Sequence, residues 1–263
     1  MFGVVPKTIW QKTNPADENN LCTWAMRCLL IEDGDKLILI DTGIGNKMEP
    51  KLAGFYHLHG EDSLANSIQK LGFTLADITD VFHTHLHLDH CGGSVNYNQD
   101  RTKSELAFPK ATYWTNPDHY HWATEPNARE KASFLKENIE PLSSSSQLKF
   151  TQVAGASPFS SFDIRYVNGH TDKMMLPVMP YKRHTLVFMA DLIPSVGHLP
   201  IPYVMGYDTR PLLTLEEKTS FLQEAADHNY ILFFQHDSQH ECCTLKHTDR
   251  GVRLAEVFRL SDI

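Results

Sequence analysis

No stretch of this 263-residue chain is apolar for long enough to cross a bilayer; its longest runs, such as Leu186 to Ala190 and Tyr230 to Phe234, are strand-sized. No basic segment followed by an apolar one opens the chain, so no export signal is expected and the expected compartment is the cytoplasm. Positive charge is not in excess either. Twenty-four Lys and Arg against 32 Asp and Glu give a net charge of −8, which argues against nucleic acid and anionic membranes as partners. Cysteine is scarce and odd in number, and two of the five, Cys242 and Cys243, are adjacent. That pattern fits neither a disulfide framework nor a zinc knuckle, and reduced structural thiols are expected. Low-complexity sequence is limited to Ser143–Ser146, too short for a linker. A single domain spanning 1–263 is therefore expected.

Ordinary shares of hydrophobic (41%) and charged (21%) residues point to a globular chain with a full core. What is abundant is histidine, with 15 copies. Histidine is the commonest metal ligand, so its placement becomes the question.

Apolar periodicity predicts strands and helices alternating in two successive halves. Trp24 to Ile31 and Leu37 to Ile40 read as a hairpin across Glu32-Asp33-Gly34-Asp35. Ser63 to Leu71 reads as a helix stopped by Gly72. Short strands are expected over 78–83, 111–114, 162–167, 185–190 and 231–234. Asn127 to Ile139 reads as an amphipathic helix followed by a loop at Pro141, and Leu215 to His228 as a helix capped by Thr214. The tail 251–258 suits either helix or strand.

One segment dominates: His83-Thr84-His85-Leu86-His87-Leu88-Asp89-His90-Cys91-Gly92-Gly93. In extended chain, residues two apart point the same way, so His85 and His87 can reach one metal. A turn into helix then swings Asp89 and His90 toward a second position. Gly92-Gly93 lets the backbone tighten behind them. Nitrogen and oxygen donors of this kind suit zinc or a similar first-row ion. Leucines between the ligands argue against a solvated histidine-rich loop.

This segment resembles the signature of the metallo-β-lactamase superfamily, and further matches follow in order. The resemblance implies that Asp41 in Ile-Asp-Thr-Gly supports the metal loop, that His170 in Asn-Gly-His-Thr completes the first metal site, that Asp191 bridges two ions, and that His236 completes the second site. The metal ligands would then be His85, His87, Asp89, His90, His170, Asp191 and His236, holding two divalent ions, in all expectation Zn2+. The implied fold is α/β, a metallo-β-lactamase-like four-layer αβ/βα sandwich of two mixed β-sheets.

Phe2 to Trp10, Asp191 to His198 and Met205 to Asp208 further resemble the YtnP-like quorum-quenching branch, which opens acyl-homoserine lactones. That branch carries a strand and glycine turn ahead of the Phe2-to-Pro6 segment with which this chain begins. Two departures stand out. Pro194 occupies the place of a tyrosine three residues after the bridging aspartate, and the usual Gly-His-x-x-Gly-His is Gly169-His170-Thr171-Asp172-Lys173-Met174.

The expected reaction is attack of a metal-bridging hydroxide on a small-molecule ester or lactone, with N-acyl-homoserine lactones as the leading substrate. Two ions about 3.5–4 Å apart supply such a nucleophile at neutral pH. Asp191 and Asp89 are expected in catalysis, Asp89 as proton carrier. His198 is the candidate donor to the leaving group in place of the missing tyrosine. Other ester, thioester or organophosphate hydrolysis on the same site is the alternative, and a non-hydrolytic diiron protein a more distant one. A homodimer is compatible with the sequence. Among the remaining histidines, His83 reads as support beneath the site. His57 and His59 could line a substrate mouth, Tyr207 is a weaker proton-donor candidate, and His119, His121, Trp114 and Trp122 read as packing.

Overall fold

The computed structural model describes residues 1–263 apart from Gln99 and Ala154. The chain divides into two compact units, Cys28–Gly155 and a second made of Met1–Arg27 with Ala156–Ile263. Each holds a mixed β-sheet. No helix among the described residues is long and apolar enough to cross a membrane.

In the unit Cys28–Gly155 the strands are β1 (Leu29–Asp33), β2 (Lys36–Ile40), β3 (Asp80–Phe82), β4 (Val95–Tyr97), β5 (Ser104–Leu106), β6 (Thr112–Thr115) and β7 (Leu148–Phe150). The main sheet runs β1-β2-β3-β6-β7, and β4 pairs with β5 in a separate two-stranded sheet. β1 and β2 form the expected antiparallel hairpin, with Leu29 opposite Ile40 and Asp33 opposite Lys36. β2, β3, β6 and β7 are parallel. Leu37 to Ile40 are all buried, as a continuous apolar run in an interior strand requires. Ser63 caps the helix Leu64–Lys70, its hydroxyl accepting from Asn66 N at 3.2 Å.

In the other unit the strands are β8 (Asp163–Val167), β9 (Met174–Tyr181), β10 (His184–Phe188), β11 (Ile231–Phe233), β12 (Cys242–Thr248) and β13 (Gly251–Phe258). They lie in the order β13-β12-β11-β10-β9-β8, with β10 and β11 parallel and the other neighbours antiparallel. The tail is thus strand, settled by its long pairing with β12.

Three boundaries differ from the sequence reading. The run Trp24 to Ile31 splits. Only Leu29 onward joins the hairpin, while Ala25 N and Arg27 N donate to His236 O and Gln235 O, each at 3.0 Å. Asn127 to Leu135 is not helix. Asn127 Oδ1 accepts from Arg129 N (2.8 Å) and Glu130 N (3.2 Å), and this side-chain competition turns the backbone locally. The helix begins only at Lys136 and runs through Pro141 to Ser143. The long helix Pro211–Asp227 starts ahead of the expected cap, with Pro211 in its first turn and Thr214 inside it.

No disulfide joins the five cysteines among the described residues. Burial holds the thiols of Cys91 and Cys242 up at about 12, so they stay protonated.

Candidate metal centre

In the unit Cys28–Gly155, β2 delivers Asp41 and β3 delivers the histidine segment. His87 is the residue that caps the short helix Leu88–Cys91, so the chain changes from extended to helical between His87 and Asp89, as the spacing predicts. His85 and His87 present ligand atoms within 4.8 Å of one another, and so do Asp89 and His90. His85, His87 and His90 are buried, while the Asp89 side chain keeps about a third of its surface exposed at 34%.

Asp41 is fully buried and sits at φ +58°, a strained conformation for a non-glycine residue. Its carboxylate accepts from Thr84 N (2.7 Å), Thr84 Oγ1 (2.8 Å) and His90 Nδ1 (2.9 Å). Because the Thr84 hydroxyl gives its one proton to Asp41, its 3.1 Å contact with His85 Nδ1 has the histidine as donor. Asp41 therefore fixes His90 directly and His85 through Thr84. Both then offer Nε2 as the ligand atom.

The glycine pair acts by absence of bulk rather than by unusual backbone angles. Gly92 has φ −58°. A Cβ on Gly92 would lie 2.3 Å from Ile44 O, and one on Gly93 2.2 Å from Thr42 O. The Lys47 ammonium donates to Gly92 O, and burial lowers its pKa.

His83 lies beneath this loop. Thr42 Oγ1 donates to His90 O (3.1 Å), so Ser94 Oγ donates to Thr42 (3.1 Å) and His83 Nε2 donates to Ser94 (2.7 Å). Burial pulls the His83 pKa down to about 4, so the ring stays neutral and serves as a strut.

In the second unit the donors come from three separate strand ends. His170 follows β8, Asp191 follows β10 after Ala190 at φ +40°, and His236 follows β11. Asp191 Oδ2 lies 3.1 Å from His170 Nε2, and Asp191 Oδ1 lies 3.0 Å from His236 Nε2. The two imidazoles thus address the two oxygens of one carboxylate. Behind them, His170 Nδ1 donates to Asp208 Oδ1 at 2.9 Å and His236 Nδ1 to Ala25 O at 2.8 Å. Burial alone would lower the His170 pKa, but Asp191 and Asp208 outweigh it and hold it up at about 10. That is the mark of a strongly negative pocket, in which a bound cation would replace the proton.

The His170 loop is held from the helix Pro211–Asp227. Glu217 accepts from Asn168 N (2.7 Å) and Gly169 N (3.0 Å), while Arg210 donates to Asn168 O (2.7 Å) and Asp172 (2.9 Å). Lys173 takes φ +53°. This left-handed turn is held by Lys173 N donating to Asn168 Oδ1 at 3.1 Å.

His198 is buried. Phe2 stacks on it at 4.2 Å between ring centroids, and Trp24 touches both His198 (5.7 Å) and His236 (5.1 Å). Its Nδ1 meets Ser195 Oγ at 2.8 Å. Burial and the nearby Lys218 push its pKa down to about 3. Tyr207 is exposed and contacts Met1 Sδ at 3.4 Å. His57, at φ +47°, is exposed beside His59. His119 is buried, and its Nε2 accepts from Leu86 N at 2.8 Å.

Asp208 and Glu130 escaped the sequence reading as site residues. Asp208 lay within a segment already matched to the lactonase branch. Glu130 carried no signal, because its contact with His87 Nε2 (3.2 Å) depends on the irregular path of 127–135.

The donor set fits divalent metal. Each of the five candidate histidines has one ring nitrogen against an acceptor, which leaves the other able to bind metal. Residues 27–236 match the model of the metallo-beta-lactamase superfamily, and the chain belongs to that family. Among solved structures it resembles a probable metal-dependent hydrolase from Staphylococcus aureus (25% identity, TM-score 0.87, 98% of this chain and 90% of the other). It also resembles AidC, a dizinc quorum-quenching lactonase in complex with a homoserine product (26% identity, TM-score 0.70, 90% and 81%). A curated relative, a probable metallo-hydrolase of Mycobacterium tuberculosis, is 32% identical over 78 residues, 26% of this chain and 25% of its own length. The match therefore spans about a quarter of that relative.

Proposed function

We propose that this chain is a dinuclear metal-dependent hydrolase whose leading substrates are N-acyl-homoserine lactones. In this reading His85, His87 and His170 would hold one divalent ion, zinc in the first instance. Asp89, His90 and His236 would hold the other, and Asp191 would serve both. The observation that carries the reading is the shared wiring of the five histidines, each backed by an acceptor that fixes its tautomer. The likeness to a dizinc lactonase at 26% identity supports the substrate class.

When bound, the ion pair supplies an activated water at neutral pH and a Lewis acid for the carbonyl oxygen. Asp191 aligns the His170 and His236 rings through its two oxygens. To Asp89, whose side chain keeps contact with solvent, this reading assigns the passing of a proton to the departing alkoxide. The His198 ring is stacked under Phe2 and engaged by Ser195 through Nδ1, whereas Asp89 reaches solvent, so this reading gives the leaving-group proton to Asp89. His198 then secures the 195–198 turn through Ser195.

The test is an assay of the metal-loaded protein against lactones, thioesters and aryl phosphotriesters, with the chelated protein as control. Lactone opening that disappears on chelation supports the reading. Turnover of phosphotriesters or thioesters without lactones would move the same site to another substrate class, and no turnover of any would remove the hydrolase assignment.

A further inference from the structure

We infer that Glu130 is the positioning residue that sets His87 to bind metal through Nδ1, the opposite nitrogen from the one used by its neighbours. The inference rests on the reading above in taking His87 as a ligand. Glu130 is buried at 3% exposure, in the irregular stretch that stands where a helix was expected. Its Oε2 accepts from Trp122 Nε1 and Asn127 Nδ2, each at 2.7 Å, and its Oε1 faces His87 Nε2 at 3.2 Å.

The donor identities are forced. Indole nitrogen only donates. The Asn127 amide cannot be turned round, because its Oδ1 already accepts from Arg129 N and Glu130 N. A carboxylate held by two such donors presents its second oxygen as an acceptor, so His87 carries its proton on Nε2 and its lone pair on Nδ1. His85 and His90 are wired the other way, each donating through Nδ1. Phe134 packs against the His87 ring at 4.7 Å, and Ser133 O accepts from Leu88 N at 2.9 Å, so the same stretch fixes ring plane and backbone together.

Glu130→Gln is nearly isosteric, and its effect is predictable. Trp122 and Asn127 outvote His87 and draw the amide oxygen to their side. The amide nitrogen then faces His87 Nε2 as a donor, the ring proton moves to Nδ1, and the ligand lone pair is lost.

The experiment combines nitrogen NMR of the His87 ring in the chelated protein with zinc titration of the same samples. The wild-type ring should be protonated at Nε2. Glu130→Gln should be protonated at Nδ1 and bind one zinc equivalent roughly 10- to 100-fold more weakly, the range expected for loss of such a partner. Trp122→Phe serves as the control for packing. It leaves Glu130 a carboxylate, so the tautomer and zinc affinity should hold. A wild-type ring protonated at Nδ1 overturns the inference whether or not Glu130→Gln folds. So does a Glu130→Gln protein with wild-type zinc affinity, or a Trp122→Phe protein that loses zinc equally. His87→Ala separates the two levels: two zinc equivalents held there with wild-type affinity would show that His87 is no ligand and overturn this inference while leaving the dinuclear reading standing, whereas a single equivalent in the wild-type protein would overturn the dinuclear reading itself.

Discussion

The two donor sets are built on opposite plans. In the unit Cys28–Gly155, four donors lie within the six residues His85–His90, and one buried acid, Asp41, governs two of them. In the other unit, His170, Asp191 and His236 come from three strand ends and are held by unrelated partners: Asp208, Glu217, Arg210 and the Ala25 carbonyl. The contiguous set derives its geometry from a change of backbone conformation, extended to helical, inside one segment. The dispersed set has no local geometry of its own and depends on a sheet to assemble it. A single substitution should therefore damage the contiguous set as a block, whereas each support of the dispersed set should fail separately, except at the carboxylate its histidines share.

That exception gives the largest expected effect. Asp191→Ala removes the group addressed by both His170 and His236 and should lower kcat/KM by at least ~10²-fold, the scale of losing preorganised stabilisation. A variant that keeps half its activity and its full metal content would contradict the bridging role.

Asp41→Asn tests the block behaviour. An amide can satisfy Thr84 or His90 but not all three donors, so zinc affinity should fall roughly 10- to 100-fold. Asp208→Asn acts on one candidate ligand, His170, and should weaken zinc by the lower end of that range. Titration with zinc compares the two, and equal effects would erase the distinction between the plans.

Gly93→Ala tests the close approach that shapes the contiguous set. Its Cβ would meet Thr42 O at 2.2 Å, an overpacking that should cost about 1–3 kcal/mol in thermal or denaturant unfolding. An unchanged midpoint would mean the loop has room to spare.

The smallest effect concerns acid sensitivity in the second unit. The folded pKa of His198 is lowered to about 3, below the ordinary 6.5, so the unfolded chain binds the extra proton between those values. Stability from this group is present above pH 6.5 and is lost as pH falls toward 3. His198→Phe should reduce that slope by up to about 1.4 kcal/mol per pH unit. The same variant should depress lactone and aryl ester turnover equally, whereas Asp89→Asn should penalise lactones more, because an aliphatic alkoxide needs a proton and a nitrophenolate does not. A selective loss of lactone opening in His198→Phe would return the donor role to His198.

The contrast between the sets also explains what was legible in the sequence. His85 to His90 could be read from residue spacing alone, because period two followed by a turn is a local property. His170, Asp191 and His236 were visible only as strand-end residues in a familiar order. Asp208 and Glu130 were not assigned, since each becomes a partner only once distant backbone segments are placed. The hairpin at Gly34 was readable from turn chemistry, and the helix Leu64–Lys70 from its apolar spacing and the Gly72 stop, while the Ser63 cap was not. The stretch 127–135 was misread as helix because its apolar spacing was right while the Asn127 side chain competed for the backbone. Gly92 and Gly93 were noticed for flexibility but matter for the space they leave to Ile44 and Thr42.

Metal content tests the central claim most directly. Elemental analysis of gently purified protein, repeated after chelation and reloading with zinc, should give close to two equivalents per chain. Asp89→Ala and His236→Ala should each lower that number. One tightly held ion, unchanged in Asp89→Ala and His236→Ala, would contradict a dinuclear centre.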